Sequence, residues 1–259
     1  MSGHSQFKNI MYRKGAQDAK RAKAFAKLGR EILVAAKLGS TDPQANPRLR
    51  AALAAARTVN MPNDNINRIL KKALGEDNTE SYEDIRFEGF GVGGVSVIVE
   101  ALTDNRHRTV PEIRSTFSKF GGNLGELGSV SFLFEHDGYL LFPRESTTFD
   151  DLFEKAVEAG AENVEEETEE GEESQRGWAV FCSVENFGAL RDALTESFGE
   201  PSKAEIIWKP VNTLDCDFET VQTLLKMIDA LEDNDDVQKV FTNFSCGPDV
   251  QARLDAEFV

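Results

Sequence analysis

Between Leu74 and Tyr82 the apolar residues of this chain change their period, which restricts it to more than one kind of folding unit. Before the break, Ile66, Ile69, Leu70, Ala73 and Leu74 recur at helical spacing, and Gly75 closes the segment. After the polar run Glu76-Asp77-Asn78-Thr79-Glu80, Ile85-Arg86-Phe87-Glu88 and Val95-Ser96-Val97-Ile98-Val99 are β-branched and aromatic, as strands are. A helical amino-terminal domain followed by sheet-containing domains is the expectation.

The sign of the charge changes at the same place. Residues 1–75 hold 15 Lys and Arg against 4 Asp and Glu, a net +11. The remaining 184 residues hold 14 against 41, a net −27, so the whole-chain −16 describes neither part. A segment this basic is built to meet a polyanion, while the rest is built to repel one.

Three helices are expected in the basic segment. Gln17 to Lys37 is rich in Ala, Lys and Leu and stops at Leu38-Gly39-Ser40. Asn46-Pro47 is an N-cap followed by Pro at the first helical position, opening a helix to about Val59. Pro62 opens the third. Beyond the break, a helix is expected from Thr109 to Phe120 and a strand from Val130 to Phe134. From His136 the order is strand Tyr139–Phe142, helix from Asp150, strand near Val164, strand Trp178–Cys182, helix Phe187–Phe198 and strand Ala204–Trp208. That is the β-α-β-β-α-β order of a ferredoxin-like unit. A helix Phe218–Leu231 and a strand Val237–Phe244 then remain outside a completed unit. They either form a third consecutive domain or pair back with residues 80–135.

The fold class adopted is α+β: a basic helical domain (1–78), a discontinuous α/β domain (79–135 plus 209–259), and a ferredoxin-like domain (136–208) inserted in it. No run of about 18 apolar residues exists to span a bilayer. The amino terminus also has no apolar core of a secretory signal, so the expected location is the cytoplasm. Cys182, Cys216 and Cys246 are widely spaced, and His4, His107 and His136 are scattered. The expectation is reduced thiols, no metal site and no cofactor.

The candidate site is the first helix. At about 100° per residue, Lys20, Lys23, Lys27, Arg30 and Lys37 share one face, with Phe25, Leu28, Ile32 and Leu33 on the opposite arc. Lys8, Arg13, Lys14 and Arg21 add charge. Such a stripe neutralises phosphates without reading sequence. The plainer alternative is a face that is solvated or docks on the chain's own acidic domains. No cluster at a helix start declares itself as a base reader, so backbone binding is the limit of this reading. Arg106 and Arg108 at a helix amino end form a possible anion contact, against pairing with nearby acids. Gly89-Phe90-Gly91-Val92-Gly93-Gly94 fits G-x-G-x-x-G, but a strand follows it, so it reads as a strand connection. The run Glu165–Glu173 reads as a solvated hairpin loop. No catalytic constellation stands out, and no enzyme is expected.

Taken jointly, Gly3-His4-Ser5, Gln17-Asp18-Ala19-Lys20-Arg21, Asn46-Pro47-Arg48-Leu49-Arg50, Asn60-Met61-Pro62, Glu88-Gly89-Phe90-Gly91, Asp104-Asn105-Arg106 and Gly121-Gly122-Asn123-Leu124-Gly125 resemble the YebC/PmpR family over nearly the whole chain. Phe7 stands where that family usually has Trp, and Met11-Tyr12 where it often has Lys-His. The resemblance implies one helical and two α/β domains, no catalysis and no cofactor. Bacterial members are described as transcriptional regulators that bind DNA. Others, including a mitochondrial translational activator of a cytochrome oxidase subunit, act on translation, with ribosome association and relief of stalling proposed. The expected partner is therefore nucleic acid, DNA first and ribosomal RNA on the ribosome as the alternative. A module binding no nucleic acid is the third reading.

Overall fold

The computed structural model of the protein describes residues 17–75, 81–167 and 177–257. They form two compact units: Glu135–Lys209, and a larger one made of the residues up to Phe134 together with Pro210 onward.

The larger unit opens with α1 (Gln17–Leu38), α2 (Pro47–Thr58) and α3 (Asn63–Leu74). Ile32, Ala35, Leu49, Ala52, Leu53, Ala56, Met61 and Ile66 make a common core, with Phe25, Leu28, Ile69 and Leu70 packed around it. Asn46 fixes the corner between α1 and α2. Its Oδ1 accepts from the Leu49 backbone N–H at 3.1 Å, while its Nδ2 donates to the Ala35 and Ser40 carbonyls, each at 2.7 Å. A Cβ on Gly39 would lie 2.7 Å from that Nδ2, so any other residue there would push the Asn46 amide from its place. Between α2 and α3, Asn60 takes the left-handed conformation at φ 56°.

The chain then forms β1 (Glu83–Phe90), β2 (Ser96–Thr103), α4 (Arg106–Lys119) and β3 (Asn123–Leu124). Helix α4 starts three residues before the expected Thr109, because the Asn105 side chain caps it by accepting from the Arg108 N–H. The expected strand Val130–Phe134 is a short 3-10 turn, Ser131–Leu133. The carboxylate of buried Glu88 accepts from the Val130 and Ser131 N–H groups at 3.0 and 2.9 Å, which takes those donors out of any ladder.

The smaller unit holds β4 (Phe134–Pro143), α5 (Phe149–Glu158), β5 (Asn163–Glu167), β6 (Gly177–Ser183), α6 (Phe187–Phe198) and β7 (Lys203–Pro210). Its sheet order is β5-β6-β4-β7, the split-βαβ arrangement. Leu140, Phe142, Val180 and Cys182 face Leu152, Ala156, Leu190 and Leu194 of its helices. Glu165, Glu166 and Glu167 were expected in a loop. They instead belong to β5, opposite Ala179, Trp178 and Gly177, and the rest of that acidic run lies outside the described residues.

The chain returns as β8 (Leu214–Asp215), α7 (Phe218–Glu232), β9 (Val237–Thr242), β10 (Phe244–Ser245) and α8 (Pro248–Glu257), the last unforeseen from the sequence. Strand β9 pairs antiparallel with β2, giving the order β3-β1-β2-β9. Val97, Val99, Ile113, Phe117, Leu224, Ile228 and Val240 pack between this sheet and helices α4 and α7. The expected strand Val237–Phe244 is interrupted at Asn243, where Phe244 leaves β2 and pairs in parallel with Leu214.

Candidate nucleic-acid interface

Lys8, Arg13 and Lys14 lie outside the described residues. Lys20 and Arg21 belong to α1 by their backbone. The remaining three expected contacts do share one face of that helix, and the face is occupied. Lys23 Nζ pairs with Asp233. Lys27 Nζ donates to the Glu232 carbonyl at 2.6 Å. Arg30 donates to the Asp235 carbonyl, to the Leu102 carbonyl at 3.4 Å and to Asp236 Oδ1 at 3.3 Å, with its guanidinium 5.9 Å from the Tyr82 ring centroid. All three meet the acidic turn between α7 and β9. A helix carboxyl end suits cations, because its last carbonyls lack partners within the helix.

The electrostatics at this seam are uneven. Burial pushes the Lys27 ammonium below its ordinary pKa, against the pull of Glu232, Asp235 and Asp233. The Lys23–Asp233 pair is open to water on both sides and contributes little to stability.

Asp236 lies deepest, its side chain 4% exposed. It accepts from Arg108 Nη2 at 2.8 Å, Thr109 Oγ1 at 2.7 Å and Thr103 Oγ1 at 3.1 Å. Burial works to raise its pKa, but these hydrogen bonds outweigh burial and hold the carboxyl below its ordinary value. Arg108 also pairs with Asp104 at 3.0 Å, and Arg106 lies 3.9 Å from Glu83. The two arginines read from the sequence as a possible anion contact thus stand beside acids of the chain itself. A further cation joins three elements: Arg48 grips Glu31 of α1 at 2.6 and 3.0 Å and Asp84 of β1 at 2.9 and 3.0 Å.

The glycine cluster serves packing. A Cβ on Gly89 would lie 2.5 Å from the Asn123 carbonyl, and one on Gly91 would lie 2.7 Å from Leu224. Among the described residues, no group of three or more His, Cys, Asp or Glu is placed to hold a metal ion. No helix of the described residues is long and apolar enough to cross a membrane. Cys182, Cys216 and Cys246 form no disulfide among the described residues, and burial pushes Cys182 and Cys216 up to about 11.

Cations that the sequence reading passed over are exposed on the other helices: Arg57 at the end of α2, and Arg68, Lys71 and Lys72 along α3. The signal was available. The spacing that sends Ile66, Ile69, Leu70 and Ala73 inward leaves 67, 68 and 71 outward.

Residues 5–76 match the family model described as the TACO1/YebC protein N-terminal domain, and residues 82–244 match that of the TACO1/YebC second and third domain. A solved structure, that of a conserved hypothetical protein Aq1575 from Aquifex aeolicus, is 44% identical. The match covers 90% of this chain and 94% of that one, at a TM-score of 0.76.

Proposed function

Because this chain belongs to the TACO1/YebC family, whose members support a regulatory or nucleic-acid-associated role, we propose that it is a DNA-binding transcriptional regulator of the cytoplasm. The carrying observation is the segregation of charge: +11 lies in residues 1–75 and −27 in the remainder. That distribution directs a polyanion to one end of the chain and away from the other. Lys8, Arg13, Lys14, Lys20 and Arg21 are its phosphate contacts. Lys23, Lys27 and Arg30 join them only where the Glu232–Asp236 turn releases them. The family matched by residues 82–244 is named for transcriptional regulation, which favours transcription as the output. Nothing in this reading requires catalysis or a cofactor.

A ribosomal RNA target is the second reading. Residues 135–209 hold 20 Asp and Glu against 6 Lys and Arg, a composition suited to basic protein neighbours.

Five phosphate contacts predict a slope of log affinity against log salt of about −4 to −5, measured by titrating the protein into labelled duplex DNA. A slope near zero would remove both nucleic-acid readings. Crosslinking in cells, followed by sequencing of DNA and RNA, separates the two. Recovery of ribosomal RNA without DNA would replace the first reading by the second.

A further inference from the structure

The outward face of α3 has no role in the reading above, and its position gives it one. Asn63, Asp64, Asn67, Arg68, Lys71 and Lys72 are all exposed, while Ile66 is buried and Ile69, Leu70 and Ala73 pack on the helical core. At about 100° per residue, Asp64, Asn67, Arg68 and Lys71 fall within one arc of roughly 100°. Arg68 reaches Asn65 Oδ1 of its own helix at 3.4 Å, a contact that leaves the guanidinium in solvent. The helix follows α2 after the short turn Val59–Pro62, in which the Asn60 N–H donates to the Arg57 carbonyl at 2.9 Å and Asn60 is left-handed. Arg57, exposed at the end of α2, stands at the head of that turn.

We propose that α3 is a groove-reading helix for double-stranded DNA. Its 12 residues span about 18 Å at 1.5 Å per residue. A helix is about 10–12 Å across, and the B-form major groove, at about 12 Å wide, admits one. The major groove of duplex RNA is too deep and narrow for side chains to read, so this face selects DNA. Asn67 and Arg68 carry the two side-chain types that bond adenine and guanine edges bidentately, and Asp64 can accept from cytosine. Lys71, Lys72 and Arg57 flank them as phosphate contacts. The charge complements the ligand, with three cations on the helix against one acid. The corresponding face of α1 differs, since Lys23, Lys27 and Arg30 already meet the acidic turn.

This proposal rests on the nucleic-acid reading, and its test separates the two. The full chain, Arg68→Ala/Lys71→Ala and Lys23→Ala/Lys27→Ala are titrated into random-sequence duplex DNA and the matched duplex RNA at several salt concentrations. The change at 68 and 71 is expected to weaken DNA binding at least tenfold and to reduce the salt slope by about 1, as the loss of the one phosphate contact at Lys71 requires. The change at 23 and 27 is expected to weaken binding less than the change at 68 and 71, because the acidic turn already holds those two ammonium groups. Arg68 and Lys71 are exposed, and thermal unfolding of each variant checks that the fold is intact. Selection from a random pool should enrich a motif that Asn67→Ala no longer enriches. Wild-type binding that survives the change at 68 and 71, or an equal loss on RNA, overturns the role of α3 alone. Absence of any wild-type binding at low salt overturns the nucleic-acid reading as well.

Discussion

Asp236 shows how one buried carboxylate sets the arrangement of its surroundings. It accepts from Thr103 at the end of β2, from Thr109 and Arg108 in α4 and from Arg30 in α1, so three elements share one acceptor. Asp236→Ala would leave those donors without their acceptor and is expected to cost about 3 kcal/mol, read from urea unfolding. The pH dependence has a definite sign. The carboxyls of Asp236 and Glu88 are held below their ordinary values in the folded protein, Glu88 by backbone N–H groups that outweigh its burial. Their contribution is therefore complete above the unfolded pKa of about 4 and is lost as pH falls through the lower folded values. Unfolding free energy measured from pH 6 to pH 3 should fall less steeply in Asp236→Asn than in the wild type. Neither role was legible beforehand. Glu88 looked like one more strand residue, and Asp236 one of several acids in a turn.

At the level of the element, local rules carried most of the information. The Asn46-Pro47 signature marked the start of α2, and the structure adds that Asn46 also closes the end of α1 through the Ala35 and Ser40 carbonyls. Asn46→Ala removes both functions and is expected to cost about 2–3 kcal/mol, since a cap alone contributes about 1 and two carbonyls lose their donor. Asn46→Asp keeps the acceptor and should cost less, and thermal unfolding of the pair tests that order. Helix Phe187–Phe198 has the limits that its periodicity gave. Failures cluster where distant groups intervene. The turn at Ser131–Leu133 depends on a carboxylate more than 40 residues earlier. Strand β9 ends at Thr242 because Asn243 turns back to Ser96, its Oδ1 accepting the Ser96 N–H at 2.8 Å. Helix α8, though it opens with Pro248, follows a sequence too polar to stand out.

In the whole molecule, unit 135–209 has its own sheet, its own two helices and a core of Leu140, Phe142, Val180 and Leu190. A fragment of residues 134–210 is expected to fold alone, giving a cooperative thermal transition by circular dichroism. A featureless melt would show that it needs the rest of the chain. The sequence by itself determined the α+β class, most helix limits and the asymmetry of charge, because period, caps and composition act over a few neighbouring residues. The tertiary structure decided which cations are left facing outward. Lys23 and Lys27 meet acids 210 and 205 residues further along, a separation that no local rule spans. Lys23, Lys27 and Arg30 of α1 thereby face the acidic turn, while Arg68, Lys71 and Lys72 of α3 meet solvent.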